Sequence, residues 1–391
     1  MSEEKISLEE VAQREVAISR LDRLLGGRRN LIYSVVGAVV LAILIAIPPL
    51  RVSGFWLRTL TGVFILAIMA QSWNFMGGYT GYAAFGNVAF FGLGAYVTGI
   101  LMKEVGVPFF PSILAGALFA AGFAVLIGLP ILRLRGHYFA IATLGVAEAT
   151  REVVADDLGF LFEVPARLFK ALGASGVAES LENLADRVLP VTHGPTGITL
   201  PFFRPGIQIG DLTPMQIEGF FFYYLTLLLM VLAVFLTWRL TKSKLGYSLV
   251  AIREDEDSAN MLGINTTRSK VMAFALCAFL IGLVGGINAY WKTFVLPEEV
   301  FKIGTTLEMI LATILGGPGT ILGPVIGAGI FDLVSSLLIF KLKLGQFHVT
   351  ILGLFIVLVI VFMPKGLGEF LSGEKPLSVS SLLENIREYR V

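Results

Sequence analysis

The sequence predicts an all-α, polytopic membrane protein of about ten transmembrane helices, with the N-terminus and C-terminus both cytoplasmic. Of 391 residues, 55% are hydrophobic, a further 43 are glycine and only 15% are charged, where soluble domains carry roughly 45–50% apolar and about 25% charged residues. Mean hydropathy is +0.80, and so few charges could not cover that much apolar side chain in water. Apolar runs of spanning length recur along the chain, and Lys and Arg gather in alternate short loops between them.

In chain order, residues 1–30 are polar, with Ile6, Val11, Val16 and Leu21 spaced for an amphipathic cytoplasmic helix or a loosely ordered tail. A membrane domain follows over 31–366. A helix needs about 20 apolar residues to cross the hydrocarbon, fewer where it is buried among others. Ten runs qualify: Leu31–Leu50, Leu60–Met76, Asn87–Leu101, Ile113–Leu132, Tyr138–Val153, Phe220–Leu240, Val271–Tyr290, Leu307–Leu315, Ile321–Leu338 and Val349–Met363. With the N-terminus inside, the Lys and Arg of 1–30, then Arg133 and Arg135, then the cluster from Arg239 to Lys270, and finally Lys365 fall on the cytoplasmic side, as the positive-inside rule requires. The long outer segment, 155–218, holds Val177, Leu181, Leu184 and Val188 at helical spacing, which predicts a small amphipathic surface helix. Its end, HGPTGITLPFFRPG, reads as turns and extended chain. A cytoplasmic tail occupies 367–391.

Several function classes fall away. A net charge of +1 offers no basic face for nucleic acid,. The single cysteine, Cys277, excludes an internal disulfide, and His137, His193 and His348 lie too far apart for a metal-ligand spacing,. No GxxxxGK[ST] motif cradles phosphates and no GxSxG or carboxylate pair marks a catalytic centre,. Neither a catalytic residue, a metal nor a cofactor is expected.

What remains is glycine, a charged loop and a few polar residues within spans. Gly77, Gly78, Gly81, Gly86, Gly92 and Gly94 crowd one stretch, and LGGPGTILGPVIGAG, 315–329, repeats the theme in the other half. Interrupted apolar segments in corresponding halves point to a solute pathway; close helix packing is the alternative, as in Gly282-x-x-x-Gly286. The cytoplasmic loop 241–270 predicts a helix from Tyr247 to Leu262, stopped by Gly263, with Leu249, Ile252, Ala259 and Leu262 as an apolar set suited to a groove on a cytoplasmic protein. Glu148, Arg151 and Glu152 share one face of their span as an ion-paired cluster. Tyr79, Thr80, Asn87, Thr143 and Thr313 are candidate pathway-lining groups, and Asp332, the deepest acid, either faces the pathway or bonds between helices.

The order GYTGYAAFGNVAFFGLGAY, RGHYFAIATLGVAE, GPTGI, KLGYSLVAIREDEDSANMLGIN and ILGGPGTILGPVIGA resembles the LivM-type permease subunit of branched-chain amino acid ABC importers. The resemblance runs from about Leu60 to Gly366, leaving out 1–30 and 155–191. Phe85-Gly86-Asn87 departs from the Leu-Gly-Gln or Leu-Gly-His type usual there. The resemblance implies half of a translocation pathway in a bacterial or archaeal inner membrane, paired with a LivH-type permease, two cytoplasmic ATPases and an external solute-binding protein. By motif, Arg253, Glu254, Asp255, Ala259 and Gly263 would lie on or near the helix that couples to the ATPases. The solute would be a branched-chain or other hydrophobic amino acid. Sister systems carry urea, short amides or aromatic acids. An ATP-independent channel or secondary carrier, with Asp332 as its ion-coupling acid, is the reading from another class.

Overall fold

The structure, a computed structural model, describes residues 39–48, 54–155, 196–203, 213–338, 353, 354 and 366. The chain divides into two compact units, 1–57 and 58–391. In the first, residues 39–46 are helical, within the run expected at Leu31–Leu50. The predicted N-terminal helix, the surface helix around Val177–Val188, the span Val349–Met363 apart from 353 and 354, and the tail 367–391 lie outside the described residues.

Eight expected spans coincide with helices. They are α1 (Gly54–Met76), α2 (Val88–Lys103), α3 (Phe109–Ile131), α4 (His137–Ala155), α5 (Pro214–Thr241), α8 (Thr266–Lys292), α10 (Ile303–Gly316) and α11 (Gly323–Ser336). Between them lie the short α6 (Lys244–Glu254), α7 (Glu256–Met261) and α9 (Pro297–Val300). By length and composition, α1, α3, α5 and α8 can cross a membrane. The expected run Leu60–Met76 begins six residues early, at Gly54, because Phe55, Trp56 and Leu57 extend the helix despite Arg58.

Of the apolar window of α8, 72% is buried, against 33% in α5. Helix α8 is therefore the central post, while α5 turns Leu228, Leu232, Phe235 and Trp238 outward. Glycine lets the neighbours of α8 approach to backbone contact. A Cβ on Gly285 would lie 2.1 Å from the Phe91 carbonyl oxygen, and one on Gly94 would lie 2.0 Å from that of Gly282. Helix α3 closes the same cluster, with Gly116 against the Gly94 carbonyl. The small-residue spacing read from sequence thus serves packing, as the alternative held.

Helices α10 and α11, 14 residues each, are shorter than a full crossing,. They join through a glycine turn, and a Cβ on Gly327 would lie 1.9 Å from the Ala312 carbonyl oxygen. The extended chain expected near residue 198 pairs with the chain after α8: β1 (Ile198–Thr199) lies antiparallel to β2 (Phe294–Val295), with Ile198 opposite Val295. On α4, Arg151 donates to Glu148 at 2.7 Å and also to Glu152, the ion-paired cluster expected there.

The α2–α8 contact leaves no room for a side chain. Gly285→Val should destabilise the protein by about 1–3 kcal/mol or more, the scale of overpacking a filled interior, read as a lower thermal midpoint in detergent.

Candidate functional site

The loop 241–270 folds as two helices rather than the single one expected over Tyr247–Leu262. Ser243 caps α6 by accepting the Gly246 N–H at 3.2 Å. At Asp255 the backbone becomes extended (φ −159°, ψ 116°) and the Asp255 carboxylate accepts the Ser258 N–H at 2.5 Å, starting α7. The cause is local. Asp bonds its own backbone more readily than it continues a helix, and here it sits amid Glu254, Glu256 and Asp257. The amide bonds of the cap hold Asp255 below the usual carboxylate range.

Gly263 stops α7 as expected, in the left-handed region at φ 84°. The Ile264 N–H bonds the Ala259 carbonyl at 3.1 Å and the Gly263 N–H bonds that of Asn260 at 3.0 Å, a Schellman ending. Of the apolar set expected to face a partner's groove, Leu249, Ile252 and Ala259 are buried within the chain itself, and Leu262 is 81% exposed, beside Met261 at 82%. The six-residue helix α7 is too short to turn both its buried face and its last residues inward.

This hairpin is tied down by charge. Lys270, at the start of α8, is 2% exposed. It donates to Glu256 at 2.6 Å, to the Leu132 carbonyl at 2.9 Å and to the Tyr82 hydroxyl at 3.3 Å. Its ammonium also stands 4.5 Å from the centre of the Tyr82 ring. Tyr82 in turn donates its hydroxyl to the second Glu256 oxygen. Burial alone would raise the Glu256 pKa, but hydrogen bonds from Lys270 and Tyr82 outweigh it and hold the carboxyl below its ordinary value. Burial, then the neighbouring Glu256, pushes the Tyr82 phenol upward, so it stays a donor. Outside this cluster Arg135 forms a fork with Asp257, at 2.9 and 2.7 Å.

Arg253, although exposed, also ties the hairpin to the glycine turns. It donates to the Gly78 carbonyl at 3.0 Å and lies close enough to Gly319 that a Cβ there would meet its Nη1 at 2.9 Å. The two glycine-rich regions meet at this place, and Asn74 joins them. Its Nδ2 donates to the Thr320 carbonyl at 2.9 Å, and its Oδ1 accepts the Gly319 N–H at 2.7 Å. Gly78 must be glycine, since a Cβ would lie 1.8 Å from Asn74 Oδ1. Of the five residues expected to couple, Arg253 therefore holds the glycine turns, Asp255 and Gly263 shape the hairpin, Ala259 packs beneath it and Glu254 is exposed.

The candidate pathway residues separate into two kinds. Thr80, Thr143 and Thr313 bond backbone: Thr80 to Met76, Thr143 to Ala140 while accepting from Phe85, and Thr313 to Ala70 across to α1. Tyr79 and Asn87 keep a buried oxygen without a hydrogen-bond partner among the described residues, although Asn87 donates to Cys277 at 3.6 Å. Asp332 borders a separate cavity beside α1 and α8, together with Asn288. Among the described residues no cluster of His, Cys, Asp and Glu could hold a metal ion. Lys270, Tyr82 and Glu256 escape a reading of the loop because their partners lie 14, 138 and 188 residues from Lys270.

The family described as "Branched-chain amino acid transport system / permease component" matches residues 55–363, and the chain belongs to it. It is 30% identical to the high-affinity branched-chain amino acid transport system permease protein LivM of Escherichia coli K12, over 80% of this chain and 69% of that one. The Salmonella typhimurium LivM is 28% identical over the same shares. Over 34% of this chain and 41% of the relative, it is 31% identical to the autoinducer 2 import system permease protein LsrC of Shigella flexneri. No solved structure matches it.

Removing one partner of a buried ion pair costs about 3–5 kcal/mol, because the other charge stays buried. Lys270→Met should lower the thermal midpoint accordingly, and Lys270→Met with Glu256→Gln should recover most of the loss. Because the Glu256 pKa is lowered on folding, its contribution is whole above its unfolded value and fades as pH falls through the folded one. The wild-type midpoint should therefore drop on acidification below the ordinary carboxylate range, and that of the double variant should drop less.

Proposed function

We propose, from membership of this permease family, that the chain is one half of the translocation pathway of an ATP-binding cassette importer in a bacterial or archaeal inner membrane. Its partners are a second, LivH-type permease, two cytoplasmic ATPases and an external solute-binding protein. Its solute is a branched-chain or other hydrophobic amino acid. The observation that carries this reading is the hairpin α6–α7, fixed to the glycine turns by Arg253 and Lys270 while Met261 and Leu262 stand outward. An apolar tip on a rigid, charge-locked base suits a groove on an ATPase. The chain carries no phosphate-binding loop of its own. Work done by the ATPases reaches the pathway only if they bind the hairpin differently in its two states.

The inner face is then the one bearing the hairpin, and 155–218 lies outside, with both termini inside. The partial likeness to an autoinducer 2 import permease supports a second reading, a sister importer whose solute is not a hydrophobic amino acid. The external binding protein separates the two, since it is the component that first selects the solute.

Reconstituted with its partners in proteoliposomes, the wild-type chain should support uptake of leucine or isoleucine only with internal ATP and external binding protein. Uptake by the purified chain alone would contradict the proposal. Leu262→Asp should lower coupled uptake at least tenfold while the chain still inserts and folds, because its side chain is 81% exposed. Gly263→Pro should do the same by removing the turn that aims the tip.

A further inference from the structure

Helix α8 starts at the hairpin with Lys270 buried and runs for 27 residues, from Thr266 to Lys292, a length of roughly 40 Å at 1.5 Å per residue. Beside its far end is a cavity of about 200 Å³ between α1, α8, α10 and α11. That is smaller than the roughly 300–1,000 Å³ typical of sites for drug-sized ligands, and of a scale for one small solute. Ile65, Leu66, Met69 and Phe91 supply an apolar wall, and Asp332, Asn288, Glu299, Glu308, Thr305 and Lys292 a polar one.

Two of these groups call for a ligand. Asn288 is 7% exposed, and its side chain borders the cavity without a hydrogen bond among the described residues. Asp332 is in the interior of α11. Its carboxylate lies over Gly62, where an added Cβ would stand 3.6 Å from Oδ2, and it has no hydrogen bond or ion pair among the described residues. A charged carboxylate in an apolar span is unfavourable unless it takes a proton or a cation meets it. Lys292 is at the rim of the cavity, where it can take the opposite charge of a zwitterion.

We propose that this cavity is a binding station for an α-amino acid, in which Asp332 and Asn288 accept the ammonium hydrogens, Lys292 meets the carboxylate and the Ile65–Phe91 wall receives an apolar side chain. Asp332 then makes the permease itself selective. Urea, a short amide or a neutral diol would leave the carboxylate without a counter-charge. The proposal rests on the import reading above, and it adds a point of selection inside the membrane to the one supplied by the binding protein.

The test uses the complete importer in proteoliposomes. Leucine uptake by Asp332→Asn should fall at least tenfold although the variant co-purifies with its partner subunits as the wild type does. In a second measurement, Thr305→Cys, in the cavity lining but outside the proposed ligand contacts, is alkylated with a maleimide in the assembled complex; the native Cys277 is fully buried and stays silent. Leucine should slow alkylation several-fold, and 4-methylpentanoate, which lacks the ammonium, should not. If the wild type imports leucine while Asp332→Asn imports it equally well, or if leucine leaves the alkylation rate unchanged, the cavity assignment is wrong and the import reading stands. If Asp332→Asn fails to assemble, the protection measurement decides alone. A wild-type complex that imports no amino acid overturns both readings.

Discussion

A lysine ammonium buried to 2% exposure needs acceptors on every side,, and the arrangement around Lys270 follows from that need. Its three donors engage the start of α7, the end of α3 and the glycine-rich chain after α1. These segments come from distant parts of the sequence, so the salt bridge fixes where the hairpin stands relative to the bundle. Arg253 adds a second tie from the same hairpin to Gly78, and Asn74 carries it on to Gly319. The hairpin, both glycine turns and the foot of α8 therefore behave as one polar assembly. Each member is hydrogen-bonded, which is the condition under which a buried polar network holds a unique geometry.

Glycine supplies the other half of the architecture. Where α2, α3 and α8 meet, backbone lies against backbone and dispersion contacts replace the side-chain interdigitation of soluble cores,. A post packed that tightly transmits displacement along its axis without absorbing it in rotamer changes. The charged cluster is at one end of α8, while Asn288 and Lys292 are at the other. The helix that anchors the hairpin thus also borders the cavity containing Asp332.

Much of this was legible in the sequence. Apolar run length located eight helices to within a few residues, because that signal is local and strong. The stop at Gly263 was equally legible, since only its φ of 84° was at issue. The break at Asp255 was not. Apolar spacing alone continues through RED, and the capping preference of one aspartate overrode it. The apolar set divides for a related reason: a helical face extrapolated from Tyr247 has no meaning after the axis turns, so Leu249, Ile252 and Ala259 face the chain's interior while Leu262 faces out. Thr80, Thr143 and Thr313, candidates for the pathway by their hydroxyls, bond carbonyls within reach of their own turn, a contact that composition alone does not show. Lys270 counted only as one more inner-loop cation. Nothing near it in sequence tells that it is buried.

The turn between α10 and α11 has a mechanical consequence. Gly316 and Gly327 set the two short helices so close that neither has side chains past which the other could slide. Such a pair is held together as a single unit. Its bending must occur at the pivot, where Gly317 and Gly319 hold φ of 110° and 79°, and that pivot is where Asn74 grips the chain and Arg253 leans against it.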